Sequence, residues 1–265
     1  YKRQVALDGN TIVAGAPESP PFQFGSAYVF FKTMNSGWVQ QKRLIATGGG
    51  IVRDAFGYAV DIEGDDVVIG CPQNAGGPND GGRVFLFRRT GTSWDAGVPL
   101  VGDGFFDELG IDVSISGDTV FAASESSDVF IFERTAGVWA HAQTLSAGFA
   151  EHGFGTSVAV EGDRAVIGVP YGPIQDHLPG HAYVYERQAG QWVETRRLDA
   201  CDANSDEFVG TDVDIQGVES FVGVPGNSEF GNWSGATYVF DHTDFAFPYC
   251  YCTHGGPCGN AQDNA

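Results

Sequence analysis

The sequence predicts an all-β fold of repeated four-stranded antiparallel units, of propeller or solenoid type. Three observations lead there. First, one segment recurs five times: ALDGNTIVAGAP (6–17), DIEGDDVVIGCP (61–72), SISGDTVFAASE (114–125), AVEGDRAVIGVP (159–170) and DIQGVESFVGVP (214–225). Second, its central glycine recurs at Gly9, Gly64, Gly117, Gly162 and Gly217. The steps are 55, 53, 45 and 55 residues, the period of propellers and solenoids. Third, the chain is rich in aromatic residues and glycine, with Phe 20, Tyr 9, Trp 5 and Gly 38, as many short strands joined by glycine turns would be. A chain of 265 residues can bury a large core as one domain.

The second repeat shows the elements in order. Strand A covers about 56–62. Glu63-Gly64 then makes a tight hairpin turn, which glycine permits because it tolerates positive φ. Strand B, 66–70, is a continuous apolar run of the buried kind. Pro72 ends it, since proline cannot donate to a ladder. A loop at 73–82 leads to strand C, 83–88, and a turn at 90–93 leads to strand D, 94–100.

The other repeats keep this order. Strand C recurs at 27–31, 128–132, 182–185 and 237–240. Strand D recurs from Trp38, Trp139 and Trp192. A leucine follows each strand-D Trp by an even offset, at Leu44, Leu100, Leu145 and Leu198, which places Trp and Leu on one face of a strand. The expected role of these Trp is packing between units. The fifth repeat has no such strand, and only 244–248 offers a weak substitute. Composition then shifts to Cys, Gly and Asn, so the reading divides the chain into a repeat domain at 1–248 and a tail at 249–265.

In an up-and-down sheet the A–B and C–D turns share one side, and the B–C and D–A connections share the other. The turns are short and alike, so that side is scaffold. The B–C loops (18–26, 73–82, 171–180, 226–235) and D–A loops (48–55, 201–208) vary, and variable loops on a rigid scaffold are where binding resides. Six residues of these loops are the candidate ligand contacts: Phe22, Phe24, Tyr171, His177, Phe230 and Trp233. Aromatic anchors favour interfaces. The competing reading is that such groups fold back over the loops' own bases.

The formal net charge is −20, with only 14 Lys and Arg, which argues against nucleic acid as a partner. No apolar run reaches the roughly 20 residues of a membrane span. Of five cysteines (Cys71, Cys201, Cys250, Cys252, Cys258), three crowd the end of the chain, as in a disulfide-stapled tail from an oxidising compartment. Cys71 reads as a small buried apolar group. Tyr1 falls inside a repeat, so the chain is expected to be a piece of something longer.

The repeat resembles the FG-GAP repeat, the blade unit of integrin α-subunit propellers and of bacterial secreted and surface proteins. Phe56-Gly57 and Phe154-Gly155 match its first motif, and Leu109-Gly110 and Val209-Gly210 match in part. Gly15-Ala16-Pro17 matches the second motif; Gly70-Cys71-Pro72, Gly168-Val169-Pro170 and Gly223-Val224-Pro225 follow closely, and Ala123-Ser124-Glu125 departs from it. The resemblance implies a β-propeller, with blades starting near 1, 56, 109, 154 and 209. It also implies an extracellular or cell-surface role in binding or adhesion to a protein or glycan, without catalysis. The family's calcium loop between strands A and B has shrunk here to turns such as Glu63-Gly64, too short for the roughly six to eight oxygens calcium needs.

Two other chemistries are considered. Asp202, Asn204 and Asp206 alternate as in the opening of a calcium loop, but Glu207 stands where that loop needs Gly and Val213 where it needs Glu. Calcium is therefore a candidate cation only on half a pattern, and no other cofactor is implied. Asp61, Asp112, Asp212 and Asp214 lie on the innermost strands, where a five-bladed glycoside-acting enzyme would carry its carboxylates. The bland alternative is that they bond backbone groups. The scattered histidines, His177 and His181 included, lack zinc spacing. The reading is a non-catalytic binding module. Its alternatives are a five-bladed glycoside-acting enzyme and a structural part of a larger propeller or envelope protein.

Overall fold

A computed structural model describes residues 4–17, 25–46, 55–72, 81–100, 108–147, 153–171, 179–200, 202–204, 206–229, 231–242 and 250–251. Every regular element among them is a β-strand, and all strand pairs are antiparallel. Five up-and-down sheets of β-propeller type follow one another. Blade 1 is Val5–Asp8, Thr11–Ala16, Ser26–Thr33 and Gly37–Leu44. Blade 2 is Val60–Glu63, Asp66–Cys71 and Arg83–Thr90, with a split outer strand, Ser93–Trp94 and Val98–Leu100. Blade 3 is Asp112–Ser116, Thr119–Ala123, Asp128–Thr135 and Val138–Ser146. Blade 4 is Val158–Glu161, Arg164–Val169, His181–Gln188 and Gln191–Leu198. Blade 5 is Val213–Gln216, Glu219–Val224, Ala236–Asp241 and Cys250–Tyr251. Blades 1 to 3 lie in one compact unit, Tyr1–Ser146, and blades 4 and 5 in another, Ala147–Ala265.

The motif glycines explain how blades join. A Cβ on Gly15 would lie 2.1 Å from the carbonyl oxygen of Gly57, one on Gly70 2.1 Å from that of Gly110, and one on Gly168 2.0 Å from that of Gly210. The glycine that ends strand B in one blade is thus pressed against the glycine that opens the next. Only a residue without a side chain allows that approach. Parallel bridges Gly25–Phe56, Gly82–Leu109 and Gly180–Val209 close the same joints from strand C.

The apolar core fills the spaces between blades. One cluster joins Val13, Val29 and Leu44 of blade 1 to Phe56, Val60, Ile62, Phe87 and Trp94 of blade 2. A second joins Val68, Leu86 and Leu100 to Val113, Ile115 and Val120, and a third joins Val166, Val184 and Leu198 to Val213, Ile215 and Tyr238. Cys71 is buried in the first, as a small apolar residue would be.

The outer strands depart from the expected parity. In blade 2, Trp94 packs toward blade 1 and Leu100 toward blade 3, on opposite faces. A β-bulge causes this. The C–D register slips between Val29 and Phe30, between Ile131 and Phe132, and between Val184 and Tyr185, and blade 2 breaks its outer strand at the same place. One extra residue turns an even offset into an odd one. Trp94 does join neighbouring blades, its indole N–H donating to Gln41 at 2.8 Å.

The scaffold turns are tied by charge. Arg89 bonds Asp65 of its blade's A–B turn, Arg134 bonds Asp118 and Arg187 bonds Asp163. Carboxylates also reach the next blade's turn: Asp8 accepts from the Gly64 N–H at 2.6 Å, Glu63 from that of Gly117 and Glu161 from that of Gly217. In blade 5 the fourth strand position is held by Cys250–Tyr251, paired with Phe240 and Val239. The segment 243–249, the end of the chain from 252, and Cys201, Cys252 and Cys258 lie outside the described residues, so the disulfide expectation does too.

Candidate functional site

Three connections meet on the loop side of blades 4 and 5. Strand B of blade 4 ends at Val169, and Pro170 releases the chain into Tyr171, which is 58% exposed. The D–A connection between the blades ends at Phe208, half-buried, just before Val209-Gly210. The B–C loop of blade 5 carries Trp233, 60% exposed. Phe208 is the middle of the group. Its ring meets Tyr171 edge-on, with centroids 6.0 Å apart, and stacks on Trp233 with centroids 6.1 Å apart and planes 27° apart. Both arrangements are favourable aromatic geometries.

The backbone is arranged to present these rings. Phe208 has φ 58° and Trp233 φ 56°, in the left-handed region that bulky residues avoid. The position before each motif glycine pair is left-handed in other repeats too, but there it holds Ala55, Glu108 or Gly153. At Gly153 a Cβ would come 2.7 Å from the Tyr171 ring, so this glycine leaves room for Tyr171. The turns are capped alike: the Thr211 hydroxyl donates to the Phe208 carbonyl at 2.8 Å, and that of Thr156 to the Gly153 carbonyl at 2.8 Å.

A buried carboxylate fixes the two blade-5 loops to each other. Glu207, 7% exposed, accepts from the side-chain amides of Asn204 at 2.8 Å and Asn227 at 3.2 Å. Its carbonyl accepts from the Gly226 N–H at 3.0 Å. The Trp233 N–H donates to the Ser228 hydroxyl at 3.1 Å, and the Gly235 N–H to the Asn227 carbonyl at 2.9 Å. A buried side chain that accepts several hydrogen bonds orders what it touches.

Of the candidate ligand contacts, the structure brings Tyr171 and Trp233 together through Phe208. Phe22, Phe24, His177 and Phe230 lie outside the described residues. Sequence reasoning missed Phe208, treating it as the last residue of a loop. Its signal was a bulky ring where other repeats place Ala, Glu or Gly.

Two of the residues considered for a cation are engaged otherwise. Asp202 accepts from the Tyr238 hydroxyl at 2.6 Å, and the Asn204 amide points to Glu207. Asp206 is exposed. Among the described residues no three His, Cys, Asp or Glu side chains are grouped to hold a metal.

The innermost carboxylates tie strands. Asp61 accepts from the N–H of Ile62 and of Ile115, both at 2.8 Å, and from the Ser114 hydroxyl at 3.2 Å. Burial pushes its carboxyl up to about 6, against the pull of those hydrogen bonds and with the Asp112 charge adding to the rise. Asp112 accepts from the Gln4 side-chain amide at 2.7 Å, and the Oε1 of the same amide accepts from the Val60 N–H. In blade 4 the Ser157 hydroxyl reaches Asp212 at 3.2 Å, and Asp214 caps the Ile215 N–H. On the scaffold side of blade 5, His242 pairs with Ser220 at 2.6 Å. Burial, reinforced by Arg164 and Arg196, lowers its imidazole to about 4, so it is neutral at pH 7.

Comparison with known proteins agrees with this architecture. A family model described as the FG-GAP repeat matches residues 38–87. No curated protein matches the chain. Among solved structures, the crystal structure of the computationally designed Ika8 protein is similar in fold, with a TM-score of 0.54 at 16% identity. The likeness covers 90% of this chain and 57% of that one, so the chain spans little more than half of that protein's length. With the FG-GAP repeat matched at 38–87 and the same glycine joint recurring between blades, the chain is an all-β fold of propeller-type blades that carries an FG-GAP repeat.

Proposed function

We propose that this chain is a non-catalytic binding module of a secreted or cell-surface protein, holding an adhesion ligand on the side of its B–C and D–A loops. The FG-GAP repeat supports a binding or structural role in general. One observation carries the finer reading: the exposed row Tyr171–Phe208–Trp233, assembled from three separate loops and held by a buried carboxylate. Exposed aromatic groups on rigid loops are what interfaces use as anchors. The innermost carboxylates support the same reading, since each bonds a backbone or side-chain group of its own or a neighbouring strand.

The test is capture of the intact chain on arrays of matrix proteins and glycans, with Tyr171→Ala and Trp233→Ala beside it. Each variant is expected to melt nearly as the parent, since an exposed aromatic pair contributes only about 0.5–1.5 kcal/mol, and to lose most of its capture. Equal capture by parent and variants overturns the loop-side reading.

A further inference from the structure

Two side chains of each inner strand meet the blade before it. Val60 and Ile62, Val113 and Ile115, and Val213 and Ile215 are all 4–8% exposed. In blade 1 the same positions hold Val5 and Leu7, 65% and 63% exposed. Strand pairing extends them into an apolar sheet face: Val5 lies beside Ala14 and Tyr28, and Leu7 beside Ile12 and Phe30. These four neighbours are half-buried, whereas their counterparts in blade 2, Ile69, Phe85, Val67 and Phe87, are buried. Cations border this face. Arg43 lies 5.9 Å from the Tyr28 ring centre, and exposed Lys32 follows Phe30 by two residues on the same side of its strand.

Blade 5 has an open face of the opposite charge, on the side away from blade 4. Phe221 and Val239 pair there, both half-buried, where Val166 and Val184 of blade 4 are buried. A Cβ on its joint glycine, Gly223, would first meet Asp212 of its own blade at 3.3 Å, whereas Gly15, Gly70 and Gly168 meet the next blade at 2.0–2.1 Å. Asp214, beside Phe221, and Glu219, beside Asp241, are both exposed. Residues 1–44 hold five Lys and Arg against two Asp and Glu, while residues 209–251 hold six Asp and Glu and no Lys or Arg.

We infer that the open face of blade 1 binds the open face of blade 5 of a second copy, so that the chain associates head to tail. Each face is apolar at its centre, one has a basic border and the other an acidic one, and such complementarity sets which surfaces meet and in what register. Position supplies a particular contact. Within the chain a strand-C arginine reaches the first residue of strand B in the preceding blade: Arg89 bonds Thr11 and Arg134 bonds Asp66, both at 2.8 Å. Lys32 occupies the arginine's place in blade 1, and Glu219 the acceptor's place in blade 5, so the two are the separated halves of one such bridge. Lys2 stands where blade 2 has Gly57. The contact therefore lacks the glycine fit that locks successive blades, and it comes apart on dilution and in salt. Two unlike faces leave one of each kind free after every step, which gives rings where the rotation closes and open chains where it does not.

The test is sedimentation velocity of the intact chain from about 1 to 100 μM, where mass action reveals a reversible contact. The chain is expected to form species larger than the monomer that grow with concentration and shrink in high salt. Leu7→Asp and Phe221→Asp are each expected to weaken association at least about tenfold. Mixed in equal amounts they are expected to give a dimer and nothing larger, because each keeps the face that the other has lost. Lys32→Glu and Glu219→Lys, both at exposed positions, are expected to weaken association singly and to restore it when combined in one chain. That charge pair decides the matter if an aspartate variant does not fold. A parent chain that stays monomeric throughout overturns the inference. Association lost in Leu7→Asp but kept in Phe221→Asp means that like faces pair, and overturns it too. So does association that only Tyr171→Ala or Trp233→Ala abolishes, which places the contact on the loops.

Discussion

At the scale of single residues, the joint glycines carry the sharpest expectation. Gly70 lies where a methyl would sit 2.1 Å from the Gly110 carbonyl, and the obstacle is backbone. Gly70→Ala must push two blades apart, and is expected to cost at least about 2 kcal/mol, in the range of overpacked cores. Urea denaturation checks it, with Gly64→Ala as a contrast that meets no neighbour but keeps its left-handed backbone, φ 58°. Asp61 gives a pH expectation. Its folded value, about 6, is above that of an unfolded carboxyl near 3.8. The folded state therefore binds the proton more tightly. Its stabilising contribution is full below pH 4 and is lost as pH rises through 6, by on the order of 1–3 kcal/mol. Carbon-detected titration of the Asp61 carboxyl should show a midpoint near 6; a midpoint near 4 means the site is better solvated than its burial implies. His242 acts in the opposite sense. Its depressed value withdraws stability as pH falls below about 6.5.

At the scale of elements, burial separates equivalent strands. Ile62 of blade 2 is 5% exposed and packs on blade 1, whereas Leu7, at the same place in blade 1, is 63% exposed. Ile62→Ala is expected to cost about 2–5 kcal/mol and Leu7→Ala less than about 0.5 kcal/mol. Thermal melts of the pair distinguish position in the array from position in the repeat. The strands themselves were legible because each repeat states them again: turn glycine, apolar run and proline stop recur in register. The outer strand was half legible. Trp and Leu marked its two ends, but the bulge between them leaves no residue of its own kind, so parity counted from sequence placed both on one face.

At the scale of the whole molecule, repetition made the fold class readable and set the variable loops apart from the scaffold turns, while hiding the aromatic row. Loop residues carry no period, so nothing in the spacing of Tyr171 and Trp233 announces that Phe208 joins them. The innermost Asp residues were visible as a set, yet their roles depend on which N–H groups a neighbouring blade brings within reach, a matter of three dimensions. Charge was readable from composition alone, but its distribution mattered more. Arg89, Arg134 and Arg187 lash scaffold turns and lie over tryptophans, and beyond Arg197 the sequence has acidic residues but no Lys or Arg.

The glycine joint has a genealogical consequence. Its two halves come from neighbouring repeats, so neither half is complete within the blade that bears it. Copying or deleting one period of chain, begun at any point, therefore reproduces a matched joint, whereas any other length orphans a glycine. Loops can drift meanwhile, because they take no part in the fit. The shortened step of 45 residues spans the repeat in which Ala123-Ser124-Glu125 replaces the motif. Repeat length and motif have both changed there.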